Sequence, residues 1–279
     1  MDKNPLISVI IPAYNHEAYV EEALQSVFDQ TYTNIELIVI NDGSKDKTGE
    51  RIQNFINNQQ RRVIFINKPN EGVCKTINLG LSLATGAYVA LLASDDCWLP
   101  ERLSLQLQFM LSNSNIGMVF SDAWFIQYNE KTTIRWSDYR SKLRQYFKNS
   151  IQNTDMHRLL LTTSIVPALT VLVRRDVFET VGFFDENLLF EDADMWIRVA
   201  KDYPLAYIDQ PLAYYRVHGN NLSNNTMFMV RGWIQTLLKH LRLDPYRGRP
   251  LRQGAIFLSL AGGLLVHRVK KKLKISKKK

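Results

Sequence analysis

The chain has 279 residues, 46% of them hydrophobic, and a formal net charge of +8. That suffices for one large domain or a domain with an appendage, and no stretch reaches the roughly 18 uninterrupted apolar residues of a membrane span. The N-terminus lacks the charged-then-apolar pattern of a signal peptide, and Cys74 and Cys97 have no CxxC or Cys/His spacing, so the expectation is a cytoplasmic protein with free thiols and no zinc site.

Residues 6–11 read as a buried strand closed by Pro12, with Asn15 placed to cap a helix whose apolar positions are Val20, Ala23, Leu24, Val27 and Phe28. A second strand over 35–40 ends in Asn41-Asp42-Gly43-Ser44, and Asp46 and Thr48 precede an amphipathic helix through Ile52, Phe55 and Ile56. A third strand spans 63–66. Asn70-Glu71-Gly72 then turns into a helix through Ile77, Leu81 and Ala84, closed by Gly86. The fourth strand, 88–93, runs into Ser94-Asp95-Asp96-Cys97-Trp98-Leu99-Pro100. Alternating strands and helices with short connections predict an α/β fold with a mostly parallel, doubly wound sheet flanked by helices.

The polar punctuation falls at strand carboxyl ends, the edge where such sheets bind ligands. Two adjacent carboxylates repel each other unless a cation or a strong donor set compensates, so Asp95 and Asp96 are candidates for a divalent-ion site; capping of the following helix is the competing explanation. No GxGxxG follows the first strand and no GxxxxGK[ST] occurs, which removes the main support for dinucleotide and P-loop sites.

Beyond Leu99 the periodicity gives a helix through Leu103, Leu107 and Met110, a short strand over 117–120, and an irregular, aromatic stretch over 129–163 that is either a substrate-recognition insertion or a surface excursion. A strand over 168–173 and a short helix over 175–181 follow. Phe190-Glu191-Asp192-Ala193-Asp194-Met195-Trp196 opens a helix with acids at its N-terminus and a core-facing Trp196. Tyr214-Tyr215-Arg216-Val217-His218 ends a strand, and His218 adds a metal-competent side chain. The charge is uneven along the chain. Residues 231–279 hold 14 Lys and Arg against one acid, Asp244, a net +13, while residues 1–230 hold 21 basic and 26 acidic residues, a net −5. An amphipathic pattern over 251–273 ending in this basic run suggests interfacial attachment to an anionic membrane surface, with a helix packed on the domain as the other reading; the tail lacks the interleaved aromatics of a nucleic-acid binder.

In this order, the segments 8–15, 41–48, 70–72 to 78–80, Ser94-Asp95-Asp96 with Trp98 and Pro100, Gly182-Phe183-Phe184-Asp185, Glu191-Asp192 with Trp196 and Arg198, and 215–218 resemble the inverting family 2 glycosyltransferases with the GT-A fold, such as bacterial polysaccharide and lipopolysaccharide glycosyltransferases. The resemblance covers about residues 6–223. It implies a Rossmann-like nucleotide-diphospho-sugar transferase domain over 1–225, with a nucleotide-binding half over 1–99 and an acceptor-binding half over 100–225, and a basic helical extension over 226–279.

By that resemblance Pro12 and Tyr14 hold the base, with Tyr14 stacking on it, Asp42 accepts its N–H, and Asn15 is grouped with the donor-binding residues. Asp95 lies near the donor's ribose or sugar, Glu191 is grouped with the donor-binding residues, Asp96 and His218 bind Mn2+ or Mg2+, and Asp192 is the general base. Asn41, Ala93 and Ile77 depart from residues frequent in the family, and Lys75, beside Ile77, offers a phosphate contact. The implied reaction is inverting transfer from a nucleotide sugar, UDP-linked by resemblance, to a glycan or lipid-linked glycan, at the inner face of the cell membrane. The alternative is a non-catalytic sugar-nucleotide or glycan-binding partner in a polysaccharide assembly complex.

Overall fold

The structure is a computed structural model and describes residues 4–59, 63–139, 155–161, 163–189 and 191–243. The chain opens β1 (Ile7–Ala13), α1 (Val20–Phe28), β2 (Ile35–Asp42), α2 (Thr48–Asn57), β3 (Val63–Lys68), α3 (Val73–Leu83) and β4 (Tyr88–Leu91). It continues through β5 (Cys97–Trp98), α4 (Arg102–Ser112), β6 (Met118–Gln127), β7 (Glu130–Arg135), α5 (Asp155–Leu160), β8 (Leu172–Arg174), α6 (Arg175–Val181), α7 (Asp192–Asp202), β9 (Leu205–Val217) and α8 (Thr226–Leu243). The nine strands among the described residues form one sheet in the order β3-β2-β1-β4-β8-β6-β9-β5, with β7 paired to β6.

The first half matches the sequence closely. β3, β2, β1 and β4 are parallel neighbours, in register at Ile7↔Ile35 and Ile10↔Leu91. These strands are apolar on both faces because both faces are covered, as parallel sheets require. Ile7, Val9 and Ile11 pack with Val20, Leu24, Ile52 and Leu103 on one side, while Ile10, Ile38 and Leu91 pack with Ile77, Leu81, Met195 and Trp196 on the other. α3 is capped by Ala84 rather than closed by Gly86, and Gly86 serves close packing instead: a Cβ there would stand 2.7 Å from the Leu6 carbonyl oxygen and the Ser8 nitrogen.

The second half is mixed. β8 is antiparallel to β4 and β6, β5 is antiparallel to β9, and β6 and β9 are parallel. The short strand expected over 117–120 extends to Gln127, and part of the stretch read as irregular is strand β7. The two join in a hairpin through Tyr128 (φ 52°) and Asn129 (φ 63°), both in the left-handed region that such turns use. The strand expected over 168–173 is a 3-10 turn at Ala168–Thr170 followed by the short β8. The Thr170 hydroxyl donates to the Pro167 and Ser121 carbonyls, drawing that segment out of a regular ladder. β9 shifts register where Pro211 stands opposite Asp122, since proline has no N–H for the ladder.

α8 begins just past the boundary drawn at 225 and packs on α7: Trp233 lies against Ala193, with Leu189, Phe228 and Met229 around them. The amphipathic pattern over 251–273, the basic run at the C-terminus and residues 140–154 of the expected insertion lie outside the described residues. Among the described residues no helix is long and apolar enough to cross a membrane.

Candidate active site

The carboxyl ends of β1, β2 and β4 converge on one edge. Asn15 does not cap α1, which starts five residues later; it adopts φ 54°. Its N–H donates to Ser44 Oγ at 2.9 Å and its side-chain oxygen accepts the Lys45 N–H at 2.8 Å. The His16 N–H donates to Thr48 Oγ1 at 2.8 Å, and the Glu17 N–H to Asp46 Oδ2 at 3.0 Å. The loops after β1 and β2 are thereby stitched together, and the His16 ring is delivered to the loop after β4. There its Nδ1 lies 2.8 Å from Ser94 Oγ, and its Nε2 3.7 Å from Asp95 Oδ2.

The far end of β9 supplies the opposite wall. His218 Nε2 lies 2.9 Å from Asp95 Oδ2, and His218 Nδ1 accepts the Asn220 N–H at 3.2 Å, so the Nε2 carries the proton and donates it to the carboxylate. Asn221 Nδ2 donates to the same oxygen at 3.3 Å. His16, Asp95 and His218 each present one ligand atom, and these lie within 4.8 Å of one another. The Tyr19 ring backs His218 at 4.8 Å between centroids.

The two neighbouring aspartates have separate environments. Burial opposes the charged form of Asp95, but the His218 hydrogen bond and the two imidazoles outweigh it, and its carboxyl is lowered. Asp96 is 3% exposed, its Oδ1 accepts the Arg216 N–H at 2.8 Å, and burial together with the charge of Asp95 pushes its carboxyl well above the usual range. Burial lowers the His16 imidazole, with Asp95 opposing, which favours the neutral ring a metal ligand needs. The sequence pairs Asp96 with His218 for a metal. The geometry instead joins His218 to Asp95 and adds His16, while Asp96 faces the backbone of β9. Two imidazoles and a carboxylate suit a divalent transition ion such as Mn2+ better than an all-oxygen Mg2+ site, and a bound cation would take the place of the His218 Nε2 proton.

Asp42 is 4% exposed and already well supplied with donors. Oδ1 takes the Lys68 ammonium at 2.5 Å and the Glu71 N–H at 2.9 Å, and Oδ2 takes the Gly72 N–H at 3.0 Å. Gly43 (φ +68°) allows the close approach of the 69–72 loop, since a Cβ there would stand 2.5 Å from the Asn70 nitrogen. One acceptor direction on Oδ2 is left for a ligand. Tyr14, beyond Pro12, is 41% exposed, as an open stacking face would be. Lys75 pairs with Glu71 at 3.7 Å; the cation at Asp42 is Lys68, which the sequence reading does not single out.

Glu191 and Asp192 open α7, with Glu191 at the cap position and Asp192 first in the helix. Burial and the adjacent charge of Asp192 push the Glu191 carboxyl up to about 7. Asp192 Oδ1 accepts the Ala193 N–H at 2.7 Å. The Tyr215 phenol, whose OH lies 3.1 Å from Ser223 Oγ, is raised by burial and then by the charges of Asp96, Asp95 and Asp192. Three carboxylates, Asp95 and Asp96 from one half of the chain and Asp192 from the other, thus act on one phenol. Arg216 ties the two halves further: its Nε donates to the Asp95 carbonyl at 2.8 Å, and its guanidinium pairs with Glu22. His16, Lys68 and Arg216 are the side chains that sequence reasoning misses. The available signals were a histidine just past the first strand end and an arginine inside the 215–218 motif.

Residues 8–182 match the family described as Glycosyl transferase family 2. The chain belongs to this family. An uncharacterized glycosyltransferase of Haemophilus influenzae is 32% identical over 226 residues, 80% of this chain and 69% of that protein. One from Methanocaldococcus jannaschii is 28% identical over 220 residues, 78% of this chain and 72% of its own length. Among solved structures, the glycosyltransferase resembles the mannosyltransferase PcManGT from Pyrobaculum calidifontis in complex with GDP-Man and Mn2+, with TM-score 0.71, 18% identity, and coverage of 96% of this chain and 76% of that one. It also resembles S. aureus TarS 1-349 in complex with UDP-GlcNAc, with TM-score 0.59, 18% identity, and coverage of 93% and 81%. At these identities the structural likeness speaks for the fold, which is GT-A.

Proposed function

We propose that the enzyme transfers a sugar, with inversion, from a nucleoside-diphosphate sugar to a hydroxyl of a glycan or lipid-linked glycan acceptor. The observation that carries this reading is the Asp95 carboxylate oxygen shared by His16 and His218 at the carboxyl edge of the parallel sheet, with the charge of the base candidate Asp192 also felt at the neighbouring Tyr215 phenol. The complexes of the structural neighbours with GDP-Man and UDP-GlcNAc support the donor class.

In the proposed reaction Tyr14 and Asp42 seat the base, and His16, Asp95 and His218 would hold a divalent ion, Mn2+ in preference to Mg2+. That ion would supply neutralising charge to the leaving diphosphate. Asp192 accepts the proton of the acceptor hydroxyl as its oxygen bonds to the anomeric carbon. The bond from that carbon to the diphosphate oxygen breaks on the opposite face, and the diphosphate leaves with the electron pair. One displacement with one base inverts the anomeric centre.

A thermal-stability screen of nucleotide sugars with and without Mn2+ tests the donor and the cation together, because a ligand that binds the folded state raises its stability by mass action. No stabilisation by any nucleotide sugar would remove the donor assignment. The basic tail supports a peripheral position on an anionic inner membrane face. Flotation with anionic liposomes, comparing the full chain with one ending at Gly254, tests it, and equal binding would count against that position.

A further inference from the structure

The segment leading into Glu191 and Asp192 is held by charged groups that the transfer step does not use. Asp194, in the same first turn of α7 as Asp192, is 1% exposed. Its carboxylate meets three nitrogen partners: the cationic Arg198 Nε and Lys239 Nζ, and the His240 Nε2, each at 2.9 Å. Two of these come from α8. Burial opposes ionisation of Asp194, but His240, Arg198 and Lys239 more than offset it and hold the carboxyl far below its usual range.

The network also reaches back along the preceding loop. Lys239 Nζ donates to Asp185 Oδ2 at 2.8 Å. Arg198 donates to the Phe183 carbonyl at 2.9 Å and to the Val181 carbonyl. From the other side Asn78 of α3 donates to the Phe184 carbonyl and accepts the Phe184 N–H, both at 2.9 Å. Trp233 of α8 covers Ala193. On both sides of Glu191 and Asp192 the chain is therefore tied to α8, through the carboxylates of Asp185 and Asp194 and through the Leu189 N–H, which donates to Gln235 Oε1 at 3.3 Å; this helix lies beyond the family-matched residues 8–182.

A buried ion network is weak evidence for stability as such, because desolvation of the charges cancels much of the attraction; its attested use is to specify one arrangement. Here the arrangement specified is the angle between α8 and α7. Misplacing a catalytic group by about 1 Å can cost on the order of a hundredfold in rate.

We propose that Asp194, Lys239 and His240 are positioning residues, and that α8 is a strut fixing how α7 presents Asp192 to the acceptor. This rests on the reading of Asp192 as the general base. The helix at the start of the C-terminal extension is then part of the catalytic unit.

The test uses the full chain with Lys239→Met and His240→Gln, each of which leaves Asp194 two of its three partners, Arg198 among them, together with Asp194→Asn and the conservative Lys239→Arg. Turnover per folded molecule, KM and calorimetric donor affinity with Mn2+ are measured for each. Lys239→Met should lower kcat tenfold to a hundredfold while donor affinity stays within about twofold, and Lys239→Arg should recover most of it. Unchanged kcat per folded molecule in Lys239→Met and His240→Gln would overturn the strut. So would a loss of donor affinity in step with kcat, the mark of general unfolding. Asp192→Asn separates the two assignments. If it keeps normal turnover, the base assignment falls and this role falls with it. If it is inactive while Lys239→Met and His240→Gln are normal, the strut alone is wrong.

Discussion

Asp95-Asp96 and Glu191-Asp192 are both adjacent carboxylates where one element ends and the next begins, but the fold relieves their repulsion by different means. At the sheet edge the two aspartates are turned apart. Asp95 faces two imidazoles and an amide, whereas Asp96 faces the Arg216 N–H and is pushed toward its neutral form. At the start of α7 it is Glu191 that is favoured in its neutral form, held near pH 7 by burial and by Asp192. One pair is arranged around nitrogens that a cation can share, and the other around a proton. In the proposed reaction the two pairs would serve two tasks: one faces charge leaving with the diphosphate, and the other a proton leaving the acceptor.

The strongest test of the contrast is Asp192→Asn, which should reduce transfer about a thousandfold, within the range attributed to general-base catalysis, while donor affinity survives. Wild-type turnover would end the base assignment. Asp95→Asn should weaken Mn2+-dependent donor binding about a hundredfold in calorimetry, since it removes the oxygen shared by both imidazoles. Asp96→Asn should cost only about threefold in the same titration, because a neutral side chain already suits that environment. The reverse ranking would return the metal to Asp96.

The smallest effect concerns Glu191. Its folded value of about 7 lies above the ordinary 4.5, so the folded state holds this proton more tightly than the unfolded chain does. The stabilisation it contributes is complete below about pH 4.5 and is lost as pH rises through 7. The enzyme should therefore lose a few degrees of Tm between pH 5 and 8 that Glu191→Gln retains. Parallel melting curves would mean that Glu191 is solvated.

The sequence made β1 to β4 and their helices legible, because two-sided apolar strands and polar strand ends leave a strong pattern. The β6–β7 hairpin was hidden because its turn, Tyr128-Asn129, carries no glycine despite its two positive φ angles. The split between Asp95 and Asp96 could not be read locally. It depends on the return of β9, more than a hundred residues later, where the Arg216 N–H meets the Asp96 carboxylate and His218, just past the strand, meets the Asp95 carboxylate. His16 was obscured for a similar reason: its direction follows from Asn15 at φ 54° and from hydroxyls of the second loop. The strand read over 168–173 failed because side chains take its backbone carbonyls: Trp98, Arg102 and Gln106 donate to those of Leu169, Val171 and Thr170, and the Thr170 hydroxyl donates to that of Pro167.

The two cysteines have a practical consequence. Cys74 lies on α3 in one core layer and Cys97 lies in β5, both buried, and burial pushes both thiols up to about 12. In the closed protein almost no thiolate exists at neutral pH to meet an alkylating reagent. Labelling therefore times the opening of the fold, and mass spectrometry can assign each event to its peptide. Cys97 shares the Glu22 carboxylate's surroundings with Arg216, and Cys74 lies near the Leu188 carbonyl, beside the loop that precedes Glu191. The native chain thus has two internal clocks, one for the sheet edge beside Asp95 and Asp96 and one for the segment that leads into α7.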